Sequence, residues 1–205
     1  MVKKIVGTGV LLVLALALQA GVKMYTLKSP DGKVKLEVTA GQGIAYSLFY
    51  DGRLLLKPSR IALHTDLPEA DHWENIRITG TKQRHVSETV QAPFYRVKEF
   101  GIDCNELELR LNNGFSLLMR AYNDGMAYRF VAGRKGEMTV VEERAEFNFA
   151  DDFEAYIPYS TNPKDPWNMA FQSCYTKAPL TQYNTELPAF LPFTVDAGAV
   201  KLTLL

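Results

Sequence analysis

Lys33-Val34-Lys35-Leu36-Glu37-Val38-Thr39 alternates between polar and apolar residues at every step, and Glu106-Leu107-Glu108-Leu109-Arg110-Leu111 does the same. A period of two puts successive side chains on opposite faces of an extended strand, one face apolar and the other charged. Beyond residue 24 no window sustains a capped helical face of any length. A chain patterned this way has to bury its apolar residues between sheets.

Four turn signals punctuate the pattern: Asp31-Gly32, Asp51-Gly52, Asn113-Gly114 and Asp124-Gly125. Such pairs tolerate the positive φ that tight hairpins demand. They predict an antiparallel meander in which 105–111, 115–122 and 126–131 follow one another. Further strands are expected at 24–27, 33–39, 44–50, 61–64, 76–79, 138–141, 145–149, 190–195 and 200–205. Many short strands with regular turns mean an all-β sandwich or barrel. No internal repeat, low-complexity tract or linker interrupts residues 21–205, which read as one domain.

The segment 156–188 differs, with Pro158, Pro163, Pro166, Pro179 and Pro188 among Trp167, Phe171, Tyr175 and Tyr183. Proline keeps it out of central strands, so a long aromatic loop is expected. It either folds over a sheet end and packs its own rings or carries function.

Composition narrows the function. Apolar residues make up 47% of the 205 positions, which excludes a disordered chain. Lys+Arg and Asp+Glu are both 23, and a neutral balance argues against a nucleic-acid binder. Two cysteines are too few for a disulfide-stapled or cysteine-rich zinc fold.

Residues 1–20 read as a signal peptide: Lys3 and Lys4, an apolar run from Val10 to Leu18, then Gln19-Ala20 before Gly21. The apolar stretch is shorter than the ~20 residues of a bilayer span, so no stable membrane span is expected. Export to a secreted or periplasmic compartment follows. There Cys104 and Cys174 either pair or remain two separate thiols.

No self-contained catalytic centre is visible. His64, His72 and His85 are too dispersed for a local metal motif, and no H-E-x-x-H, C-x-x-C, phosphate loop or G-x-S-x-G occurs. His64 reads as a structural histidine at a strand end. Glu142-Glu143 would point to opposite faces of a strand. Asp151-Asp152 reads as a turn, and Glu69 and Asp71 as loop acids. The chemistry that remains is aromatic: Trp167, Tyr175 and Tyr183, interleaved with Asn168, Gln172 and Asn184, suit a sugar, whose C–H faces stack on rings while amides take its hydroxyls.

Several stretches together resemble the N-terminal domain of glycoside hydrolase family 97. The strongest is "YRVKEFGIDCNELELRLNNGFSLLMRAYNDGMAYRF" at 95–130, with "SPDGKVKLEV" and "YSLFYDGRLLLKPSRIALHTD" before it and "FQSCYTKAPL" and "LPAFLPFTVD" after it. The resemblance implies an antiparallel β-super-sandwich of the galactose-mutarotase-like type. It also implies a parent enzyme that is an exported bacterial α-glucosidase or α-galactosidase, in some members calcium-dependent, with a central (β/α)₈ barrel. A barrel takes ~250 residues, more than this chain holds. The expectation is therefore a non-catalytic domain, a fragment whose partners are a barrel in cis and an α-linked oligosaccharide.

In the family, a strand like "AVKLTLL" leads into a calcium-binding glutamate, which would lie just past Leu205. No catalytic or metal position is carried over and no cofactor is assigned to this chain. Trp167, Gln172 and Tyr175 are assigned to the substrate rim, and an apolar patch is expected where the barrel would sit. The alternatives are a stand-alone periplasmic carbohydrate-binding module and, less well supported, an epimerase-like enzyme in which a histidine converges with an acid.

Overall fold

A computed structural model of the chain describes residues 23–162, 164–168 and 174–205. The proposed signal peptide and Gln172 lie outside the described residues. By contacts the chain divides into two compact units, one ending at Asn148 and the other running from Phe149 to Leu205.

The first unit holds two antiparallel sheets. A five-stranded sheet has the order β1-β2-β3-β4-β9, built from β1 (Lys23–Lys28), β2 (Val34–Gly41), β3 (Gly43–Tyr50), β4 (Arg53–Thr65) and β9 (Val140–Ala145). A four-stranded sheet, β5-β6-β7-β8, is built from β5 (Ile78–Gln91), β6 (Glu99–Leu111), β7 (Phe115–Tyr122) and β8 (Gly125–Ala132). The turn signals close the expected hairpins, and Gly32, Gly52 and Gly114 take positive φ of 77°, 79° and 85°.

Alternation decides what is buried. Leu36, Val38, Ile44 and Tyr46 of one sheet, and Leu107, Leu109, Leu117 and Met119 of the other, are at most 1% exposed. Burying such side chains contributes about 1.5–3 kcal/mol each before the ordering entropy is subtracted. Rings cross between the sheets: Tyr46 on β3 lies 6.2 Å from Tyr128 on β8. Trp73, from the β4–β5 connection, stands 6.1 Å from Phe115 and 5.2 Å from Phe130. Its indole N–H donates to the Leu63 carbonyl at 3.0 Å, so the ring's one polar group is satisfied while its body is buried.

Two expected elements differ. The strand foreseen at 76–79 is the long β5, which runs to Gln91 with only Val86 buried. Both of its faces are polar, so no apolar alternation marks it. The strand foreseen at 138–141 is β9, which runs on to Ala145, is exposed at every position and carries none of the core pattern, and the strand foreseen at 145–149 shares only Ala145 with it.

The second unit is a four-stranded antiparallel sheet of order β11-β10-β12-β13: β10 (Glu154–Ile157), β11 (Thr176–Pro179), β12 (Phe193–Asp196) and β13 (Lys201–Leu204). The segment 156–188 is thus not wholly loop. It includes the end of β10, all of β11 and a 3₁₀ turn at Leu180–Gln182. The proline rule still operates. Interior β10 stops before Pro158, and Pro179 ends β11, which is an edge strand.

Candidate functional site

The aromatic loop is held at its base by its own backbone. Tyr159 bridges to Ala189, Ser160 N–H donates to Pro188 O at 2.8 Å and Phe190 N–H to Pro158 O at 3.0 Å. The rings of Tyr159 and Tyr183 lie 5.3 Å apart, and the Tyr159 hydroxyl accepts the Asn184 N–H at 2.7 Å. Tyr183 is therefore used in packing. Trp167 is not: it is 75% exposed in a turn where Asn168 N–H reaches Asp165 O at 3.2 Å. Tyr175 is 44% exposed and donates its hydroxyl to Pro192 O at 3.3 Å. Among the described residues no ring contact or hydrogen bond joins Trp167 to Tyr175. Both side chains are exposed, and stacking on a sugar needs an exposed ring.

The first unit carries a feature that the alternation did not reveal. Glu106 stands on the charged face of β6, opposite Leu107 and Leu109, yet it is only 4% exposed. Strand register explains this. Arg84 of β5 and Arg120 of β7 are the direct cross-strand neighbours of Glu106. Their Nε–H groups donate to its two carboxylate oxygens, each at 2.7 Å. Burial pushes the Glu106 carboxyl up, the two guanidiniums pull it down, and the net shift is below the ordinary carboxylate range. Both arginines are held more firmly protonated by the same contacts. No single strand signals the triplet, because it exists only once β5, β6 and β7 are aligned.

Glu106 lines an open cleft of about 440 Å³ with Thr26 and Lys28 of β1 and Gln83 and His85 of β5. Gln83 donates to the Thr26 carbonyl at 2.9 Å and Asn105 to that of Lys28 at 2.8 Å, which ties the edge of one sheet to the other. Glu106 is unsuited to glycosidase chemistry. A general acid must hold a proton near neutral pH, and a nucleophile needs an uncommitted oxygen.

The other candidate acids have structural partners. His64 Nδ1 lies 2.8 Å from Asp71 Oδ1. Glu69 takes a hydrogen bond from Arg134 at 2.8 Å. Asp152 accepts from the Thr181 hydroxyl and N–H at 2.8 and 2.9 Å, and Glu143 accepts the Tyr128 hydroxyl at 3.2 Å. Cys104 is a buried thiol and Cys174 an exposed one, both free. Among the described residues no group of three His, Cys, Asp or Glu could hold a metal ion. No helix among them is long and apolar enough to cross a membrane.

Alternating antiparallel strands define an all-β protein built of antiparallel sheets. Residues 27–205 match the family described as Glycosyl-hydrolase 97 N-terminal, and the chain belongs to that family. It is 39% identical over 189 residues to the retaining alpha-galactosidase of Bacteroides thetaiotaomicron, a match spanning 89% of this chain and 28% of that protein.

Solved structures agree on the fold. A glycoside hydrolase family 97 enzyme from Pseudoalteromonas sp. strain K8, in complex with acarbose, superposes with a TM-score of 0.65 at 19% identity, covering 83% of this chain and 26% of its own. A beta-arabinopyranosidase gives 0.71 at 22% identity, covering 83% and 29%. The expected fold and family are thus established, and the chain spans under a third of the length of each of these three proteins.

Proposed function

We propose that this domain is the N-terminal supporting layer of an exported bacterial retaining glycoside hydrolase that acts on α-galactosides. The observation that carries this reading is the 39% identity, along nearly the whole domain, to a protein named a retaining alpha-galactosidase. In this reading a (β/α)₈ barrel follows the domain and supplies the catalytic carboxylates. Calcium, where the enzyme uses it, is bound by ligands contributed largely from beyond these strands. Trp167, Gln172 and Tyr175 stand on the substrate rim and stack on or hydrogen-bond an α-linked oligosaccharide. The satisfied acids support the division of labour, since Glu106, Glu143 and Asp152 are each committed to holding the sandwich or its loops together.

Reading the gene beyond codon 205 and assaying its complete product tests this. The expected result is an open frame encoding a barrel, and a product that cleaves nitrophenyl α-galactoside faster than the α-glucoside. The 205-residue chain should cleave neither. Turnover by that chain, abolished by replacing one of its own acids, would overturn the reading. A monodisperse chain that binds α-galactosides alone, with no barrel encoded, would establish the stand-alone module instead. Export predicts a mature N-terminus at Gly21, read by mass spectrometry.

A further inference from the structure

The outer half of the β5–β6 pair leaves the sandwich. Pairing between β5 and β6 continues without a break from Val86↔Cys104 to Gln91↔Glu99, whereas β7 pairs with β6 only as far as Cys104↔Tyr122. Beyond that row a two-stranded ribbon stands free of the rest of its sheet. It is a built element: Ala92 N–H donates to Lys98 O at 2.7 Å and Tyr95 N–H to Ala92 O at 3.0 Å. Lys98 Nζ closes on the Pro93 carbonyl and Gln91 bonds Glu99.

The tip of this polar ribbon is apolar. Phe94 is 98% exposed, Tyr95 69% and Val97 53%, with Phe100 and Val90 at 42% and 41% just below. Soluble proteins rarely leave such side chains clustered in water without a partner, and aromatic anchors carry much of the energy of interfaces. Residues 92–98 include Arg96 and Lys98 and no acid, so the tip is positive as well as apolar.

We propose that this tip is a docking arm: Phe94 and Tyr95 enter an apolar hollow, rimmed by carboxylates, on the polypeptide that follows the domain in the complete protein. The inference rests on the reading above that a further domain follows. Two observations favour that occupant. Most of the length of the related alpha-galactosidase lies outside the region this chain matches. A symmetric pairing of two copies through their tips would oppose like charges.

The test uses the complete gene product, with the photo-reactive residue p-benzoylphenylalanine in place of Phe94. Illumination should cross-link position 94, within one molecule, to an acid-flanked peptide beyond Leu205. A cross-link between isotopically light and heavy copies, or only to residues 23–205, would overturn the docking arm. As a second measurement, Phe94→Cys should react with a maleimide about tenfold or more slowly in the native protein than after unfolding in urea. Equal rates would also refute the arm. If no barrel follows in the gene, the functional reading and the arm fail together. If a barrel follows and position 94 is open to solvent, the arm alone fails.

Discussion

Arg120 donates its Nε–H to Glu106 at 2.7 Å from the directly opposed position on the next strand, and only a quarter of the arginine side chain is exposed. Arg84 makes the same contact from the other side at 2.7 Å but is 53% exposed, so solvent screens it more. Replacing Glu106 leaves two guanidiniums facing each other without their shared carboxylate. Removing one partner of a buried pair costs 3–5 kcal/mol, and the half-open geometry here brings that to about 2–3. Urea unfolding of Glu106→Gln should show that loss, with an unchanged m-value. A shift under ~0.5 kcal/mol would mean the triplet contributes nothing net.

The same pair sets an acid response. The folded-state pKa of Glu106 lies below its ordinary 4.5. Its stabilisation is therefore complete above that unfolded value and is lost as pH falls through the folded one. Between pH 5 and pH 2 the native protein should lose more stability than Glu106→Gln does, as read from denaturation midpoints along the pH series. Parallel curves would contradict this.

Tyr46 is 1% exposed and packs on Tyr128, while its hydroxyl reaches the Glu146 carbonyl at a long 3.4 Å. The ring should matter far more than the hydroxyl. Tyr46→Ala is expected to cost about 3–5 kcal/mol and Tyr46→Phe no more than about 1. Near-equal losses would make the hydrogen bond, rather than the packing, the dominant contribution.

Gly133 donates its N–H to Gly114 O at 2.9 Å, and a Cβ at position 133 would sit 2.8 Å from that backbone oxygen. Gly114 has open space around it but φ of +85°. Gly114→Ala should therefore cost about 1 kcal/mol of backbone strain. Gly133→Ala should cost more, because neither partner is a flexible side chain that can yield. Thermal melts of the two variants give the order, and the reverse order would contradict the clash.

Trp167 touches solvent over most of its surface, so Trp167→Ala should leave stability within about 0.5 kcal/mol of native. In the complete enzyme it should weaken α-galactoside binding by about five- to tenfold through lost stacking. Unchanged KM and product affinity would remove Trp167 from the rim.

Strands that bury one face announced themselves: Leu36 and Val38 on β2, and Leu107 and Leu109 on β6, carry the period that the core imposes. The outer part of β5 did not, because a ribbon that leaves the core has no apolar face to write into the sequence, and β9 was legible only at its start, where Val140-Val141 fall in an expected strand. Exposure of Trp167 and Tyr175 accords with their proline-rich surroundings, whereas Tyr183 is drawn into packing by Tyr159, a partner fixed only by the fold. The Glu106 triplet was hidden because its members are distant in sequence and meet through register. A carboxylate in an alternating strand reads as solvated until its neighbours are known.

Strand β9 pairs with β4 in register from Ile61↔Ala145, yet the whole of the β5–β8 sheet lies between them in the chain. The β5–β6 ribbon closes through a short local turn and can form early, while β9 must wait for a long loop to close. Loop closure therefore predicts that one sheet is completed after the other, an order of assembly written into the chain's wiring. Pulse-labelled amide exchange during refolding should find β9 protected last. Protection of β9 ahead of β6 and β7 would show that assembly does not follow this order.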